Sequence, residues 1–207
     1  MSSQTAIATA NGGDSVAPRE RPLQARERLL RAALVRFEAD GTLGPTLEAI
    51  RREAGVSVGA LYHHFPDKQA LAEALFVELM ERFQEGLLKE LRSHAGAEEG
   101  VKAGVRYYLR WVSSNRAAAS FVLAGRAQDP RLRERNRRFL SEVMAWWQTH
   151  VHYGAVRALP LDVIHALWLG PAAEYSRHWV AGRAKRVPSS VAQLLADAAW
   201  QTLKEQT

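Results

Sequence analysis

A chain of 207 residues can bury one sizeable core, or stack a small domain on a larger one. It has no cysteine, which excludes a disulfide framework and a thiolate metal site, and no apolar run approaches the roughly 20 residues of a membrane helix. The net charge of +6 invites a nucleic-acid reading, but up to Lys68 nine basic residues face eight acidic ones; the excess, seventeen against nine, lies after Glu90. Charge therefore speaks here to solubility and non-specific attraction, and any specific DNA reading has to come from a motif.

Residues 1–22 are rich in Ser, Thr, Ala and Gly and lack the basic start and apolar block of a signal peptide, so they are expected to form a disordered tail on a cytoplasmic protein without a membrane partner. Helical periodicity then takes over. Leu30, Ala33, Leu34 and Phe37 mark one face of a first helix that Gly41 should end. Thr46 is placed to cap a second helix with Leu47, Ile50 and Ala54 inward, and Gly55 should stop it. Ser57 should cap a third, very short helix by accepting from the amide of Gly59 or Ala60, with Val56 and Leu61 at the spacing of a hydrophobic staple. Pro66-Asp67 breaks the chain, and a long helix follows with Leu71, Leu75, Leu79 and Phe83 on one side. Five more helices are predicted, at about 98–114, 117–126, 130–153, 161–180 and 189–205; no segment alternates with period two long enough for a sheet. The fold class is all-α: a three-helix helix-turn-helix domain over residues 23–83, with its motif at about 46–65, and a larger helical body over 84–207.

Two aromatics and two histidines beside a glycine on one short helix suit a reader of the DNA major groove, which admits a helix whose first residues meet base edges. The stretch from Thr46 to Lys68 (TLEAIRREAGVSVGALYHHFPDK), with the preceding Leu29 to Leu34, Phe37 and Gly41, resembles the signature of the TetR/AcrR family of repressors over about 45 residues. The resemblance implies that Thr46, Tyr62, His63 and Lys68 hold phosphates, that Ser57, Val58, Gly59 and Ala60 sit at the groove, and that Leu61 and Phe65 hold the helix. His64 joins the DNA-facing set as a supporting residue. Val58 stands where a polar residue is common, which favours a thymine-methyl contact, and Ala60 lacks the hydroxyl frequent at its position. For Lys68 a second argument exists, since a cation at a helix start acts with the free amides there on an anion.

All six tryptophans lie in the body. Tyr107 with Trp111, and Val143 with Trp147 and His150, share faces at helical spacing; with Phe121, Trp168 and Tyr175 they are candidate walls of a pocket for a small-molecule effector. Arg106, Arg110, Arg126 and His150 are candidates for an anionic head group. Pro171, inside the predicted 161–180 helix, should kink it or leave a carbonyl for a ligand. Small residues at Ala166, Gly170 and Ala173, with Leu195, Ala198 and Ala199, suggest a self-complementary face, and the family resemblance implies a homodimer built there as a four-helix bundle. No cofactor and no metal are expected: His150 and His152 point apart on a helix, and no catalytic motif is present.

The expected function is a ligand-responsive repressor, not an enzyme, whose dimer releases a double-stranded DNA operator when a small molecule enters the body. The alternatives are an activator of the same family and a helical adaptor that binds only protein, the latter leaving the Ser57 to Lys68 constellation unexplained.

Overall fold

The computed structural model describes residues 24–40, 44–124 and 130–206. The expected tail, the Gly41 stop and Arg126 lie outside those residues. Within them the secondary structure is ten α-helices, one 3-10 turn and a single isolated β-bridge, Val156 to Lys204, that ties the chain's end to the loop after residue 152.

Three short helices form the head: α1 (Ala25–Asp40), α2 (Leu47–Ala54) and α3 (Val58–His64). Their apolar stripes meet around Leu29, Ile50 and Leu61, each almost wholly buried. The long α4 (Lys68–Arg92) follows, its 25 residues spanning about 37 Å at 1.5 Å per residue. Leu71, Leu75 and Leu79 of its first half belong to the head cluster; Phe83, Leu87 and Leu91 of its second half belong to the body. One continuous helix is thus anchored in both cores.

The body comprises α5 (Ala97–Ser114), α6 (Arg116–Ala124), α7 (Pro130–His152), α8 (Leu161–Trp168), α9 (Gly170–Val180) and, after the 3-10 turn Pro188–Val191, α10 (Ala192–Leu203). The helix expected over 161–180 is two helices. Pro171 has no amide to donate, the helix is interrupted by a single turn residue at Leu169, and Pro171 lies in the first turn of α9 where its missing amide costs nothing. The last helix starts at Ala192, three residues later than expected, because Pro188 organises the 3-10 turn before it.

Glycine in mid-helix costs about 1 kcal/mol relative to alanine, yet α5 contains Gly100 and Gly104. A β-carbon at Gly100 would collide with the ring of Trp146, and one at Gly104 with the ring of Trp168. The missing side chains let α7 and α8 seat their indoles directly on the α5 backbone, where Trp168 Nε1 donates to the carbonyl of Val101 at 2.9 Å. On another face of α5, Lys102 lies between Glu98 (2.6 Å) and Asp197 (2.8 Å) and fastens α10.

Candidate functional site

The turn between α2 and α3 is closed by local chemistry. Gly55 adopts the left-handed conformation (φ 61°, ψ 38°); its amide donates to Arg52 O and that of Val56 to Arg51 O, which satisfies the last carbonyls of α2. Thr46 Oγ1 accepts from Ala49 N, and Ser57 Oγ from Ala60 N, both at 3.1 Å. Asp67 caps α4 by accepting from Ala70 N at 2.7 Å. A further clasp went unread in the sequence. The Arg51 guanidinium donates to Val56 O at 2.6 Å while its other nitrogens hold Glu48 in a fork at 2.7 Å, and Arg52 reaches the same carboxylate at 2.8 Å. Hydrogen bonds from Arg51, then Arg52, hold the Glu48 carboxyl down at about 2, below its ordinary 4.5. Both arginines are therefore engaged within α2.

With Val56, Leu61 and Phe65 buried, α3 turns Val58 (53% exposed), Gly59, Tyr62 (56% exposed) and His63 outward. Ser57 is exposed at the helix start, Ala60 and His64 are half-buried at its flanks, and the His63 and His64 rings meet edge-on at 5.0 Å. Large apolar groups left in water on a seven-residue helix make a surface shaped for contact. Thr46 is exposed at the start of α2. Lys68 is half-buried, and its ammonium donates to Pro45 O at 3.1 Å, tying the start of α4 to the turn before α2.

In the body a cavity of about 780 Å³ opens between six helices, lined by Phe83 and Leu87 of α4, Tyr108 and Trp111 of α5, Val122 and Leu123 of α6, Phe139 and Leu140 of α7, Leu161 of α8, Leu169, and Ala173 of α9, among others. Phe83 stands edge-on to Trp111 at 5.2 Å and to Tyr108 at 5.4 Å, forming an aromatic wall.

The residues expected to line a pocket divide sharply against this cavity. Trp111 lines it. Val143, Trp147 and Trp168 are instead packed core, at most 3% exposed, and Trp147 Nε1 donates to Arg157 O at 3.1 Å. Their helical stripes face other helices, not the void. Tyr107 rests on Gly86, and Arg110 beside it pairs with Glu90 at 2.5 Å. Phe121 stacks on Phe37 of α1, rings parallel and 5.4 Å apart, so it belongs to the head. His150 stacks on Trp146 at 4.2 Å, and burial pushes its pKa down. Pro171 is exposed, Tyr175 donates to Arg186 O at 2.9 Å, and Arg106 pairs with Glu99. The cavity takes Tyr108 where its neighbour Tyr107 was expected: Tyr108, Trp111 and Val112, at i, i+3 and i+4, are the α5 stripe that faces it.

The residues expected at a dimer face also divide. Ala166 and Ala198 are exposed, and Gly170 and Leu195 half-buried. Ala199 is 4% exposed inside this chain, packed in the body core, and Ala173 lines the cavity. The exposed stripe of α10 is Leu194, 70% exposed, with Ala198. Among the described residues no group of three or more His, Asp or Glu is placed to hold a metal ion, and no helix is long and apolar enough to cross a membrane.

A capped helix-turn-helix with an outward aromatic face, carried on a helical body, defines the chain as a DNA-binding regulator. Residues 29–75 match the family model described as bacterial regulatory proteins, tetR family. The transcriptional regulator BetI of Serratia proteamaculans is 27% identical over 175 residues, 84% of this chain and 78% of that protein. The transcriptional repressor AcnR of Corynebacterium efficiens is 35% identical over 83 residues, 38% of this chain and 44% of that protein. In fold, the chain is similar to a TetR family transcription regulator from Marinobacter aquaeolei, with a TM-score of 0.73 over 88% of this chain and 96% of that one at 16% identity. Residues 29–75 are thus the DNA-binding region of a TetR-family transcriptional regulator, and the chain as a whole shares the fold of such a regulator.

Proposed function

We propose that this regulator is a homodimeric repressor that lets go of its operator when a small molecule fills the body cavity. The observation that carries the reading is that the cavity shares two helices with the head. Phe83 and Leu87 of α4 and Val122 and Leu123 of α6 line the cavity, while Leu71 and Leu75 of α4 and Ala118 and Phe121 of α6 belong to the head cluster, where α6 packs on α1. Trp111 lines the cavity and packs against both clusters. A molecule that fits only one spacing of these helices acts on the head without touching it.

On DNA, α3 enters the major groove with Val58, Gly59 and Ala60 at base edges, Val58 suiting a thymine methyl. Thr46, Tyr62, His63 and Lys68 hold phosphates. Lys68 sets a cation at the start of α4, beside that helix's first amides, where an anion is favoured. Two such helices need centres about 34 to 36 Å apart to reach successive grooves. The exposed stripe of Leu194 and Ala198, with Ala166, supports pairing of two copies through α8 and α10. A ligand that prefers another separation lowers operator affinity by the ratio of its affinities for the two states. The similarity to AcnR, a transcriptional repressor, supports that direction over activation.

The test begins by selecting bound duplexes from random DNA with the full-length protein. A selected consensus of two half-sites one helical turn apart, with transcription rising when the protein is removed, is expected. Selection without a consensus would defeat the reading; falling transcription would make the protein an activator.

A further inference from the structure

The polar groups of the cavity are sorted by charge. Its charged or chargeable residues, Asp162, His165 and Arg177, are all exposed, and Arg177 is already paired with Glu174 at 2.6 Å. The groups set deeper are neutral. Gln84 is 8% exposed, and its Nε2 donates to Asn136 Oδ1 at 2.6 Å, joining α4 to α7 across the cavity wall. That bond leaves the Gln84 carbonyl oxygen and the Asn136 amide hydrogens with no partner among the described residues. No fully enclosed side-chain nitrogen or oxygen there lacks a partner, so the free ends of this pair are accessible. The Tyr108 hydroxyl likewise has no partner among the described residues; burial pushes its pKa up to about 12 and keeps it neutral.

We propose that the cavity takes an uncharged, mainly hydrocarbon ligand and reads one carbonyl or hydroxyl oxygen on it through the Gln84–Asn136 amide pair, excluding carboxylates. The expectation of an anionic head group is replaced by this one. Among the described lining residues the one permanent cation, Arg177, is exposed and paired with Glu174, so a carboxylate drawn among Phe83, Trp111 and Leu87 would shed its water largely uncompensated, a far larger cost than desolvating a ketone that regains a hydrogen bond. Asn136 supplies the donors for a carbonyl, Gln84 Oε1 the acceptor for a hydroxyl, and Tyr108 OH can serve either. The aromatic wall and a volume of about 780 Å³ suit a drug-sized hydrophobic body. This rests on the ligand-responsive reading above, but it can be tested apart from it.

Dodecan-2-one, dodecan-2-ol and dodecanoate, matched in chain length, are titrated into the full-length protein by calorimetry at pH 7.5. The ketone or the alcohol should bind at least tenfold more tightly than the carboxylate. Gln84→Leu should remove most of that preference while the melting temperature stays within a few degrees; Tyr108→Phe, which deletes only a hydroxyl, gives a second reading if Gln84→Leu unfolds. Equal or tighter binding of dodecanoate, or binding of none of the three, overturns the proposal. Release of the selected duplex is followed in the same samples. Ketone binding without release supports the ligand class and defeats ligand-responsive repression, whereas release by dodecanoate alone defeats the ligand class and keeps the repression.

Discussion

The head and the body solve different packing problems with different side chains. The head cluster is mostly Leu, Ala, Ile and Val with two buried phenylalanines, and it draws no tryptophan into its centre. Apart from Ala118 its buried residues lie within 29–79, and side-chain caps at Thr46, Ser57 and Asp67 fix the starts of α2, α3 and α4. The body is built on buried Trp147 and Trp168, assembles residues from Phe83 to Leu203, and leaves about 780 Å³ unfilled beside that core. A surface that must present α3 in one geometry is better served by a small core without slack; a chamber that must admit a guest needs slack somewhere. Spanning both with α4 lets one chain hold the two properties without mixing them.

The comparison breaks first at the tryptophans. Trp147→Ala should lower the unfolding free energy by about 3 to 5 kcal/mol, the range for a packed aromatic, and Trp111→Ala at the cavity wall by less than about 3 kcal/mol. Chemical denaturation of both variants checks this, and equal losses would mean that the void is filled in solution. Leu194→Arg should come next: it puts a charge into the proposed copy-to-copy face, so sedimentation should show monomers and operator affinity should drop about 100-fold with the loss of two-site binding. An unchanged dimer would move the interface away from α10. Ala199→Arg would unfold the body instead, because Ala199, although among the small residues expected at that face, is already buried within its own chain.

Smaller effects sharpen the head. Lys68→Ala should weaken binding to every duplex alike and reduce the slope of log affinity against log salt by about one per protomer. A changed consensus with the same slope would make Lys68 a base reader. The smallest effect is on acid stability. Glu48 has a folded-state pKa below its unfolded one, so its clasp on Arg51 and Arg52 contributes fully above about 4.5 and is lost as pH falls toward about 2. Glu48→Gln should lower stability slightly at neutral pH, where the clasp is fully formed, and flatten the acid limb of an unfolding profile between about 4.5 and about 2; an identical acid limb would mean the clasp adds nothing.

Legibility followed the same division. Gly55, Ser57, Thr46 and Asp67 could be read because capping is chemistry between residues two or three apart, and the outward set on α3 followed from which residues had to be inward. The Arg51 bond to Val56 O escaped because an arginine four residues before a turn looks like any solvated helix charge. In the body, periodicity showed which faces are covered but not whether the space beyond them is filled. It pointed to Trp147 and Trp168, which are covered by protein, and to Tyr107 in place of Tyr108, one residue round the helix. The Gln84–Asn136 pair joins residues 52 apart, and only the packing of α4 on α7 brings them together.

Gly104 and Trp168 also constrain how this protein can change. Any side chain at Gly104 strikes the indole, and any smaller residue at Trp168 opens a hole over Gly104 and takes the second donor from the Val101 carbonyl. Neither position has a neutral first step, so a lineage that leaves this pairing must cross a valley or change both together. Across relatives the two positions should therefore behave as a single inherited character, and a library randomised at both should recover paired solutions that neither single library contains.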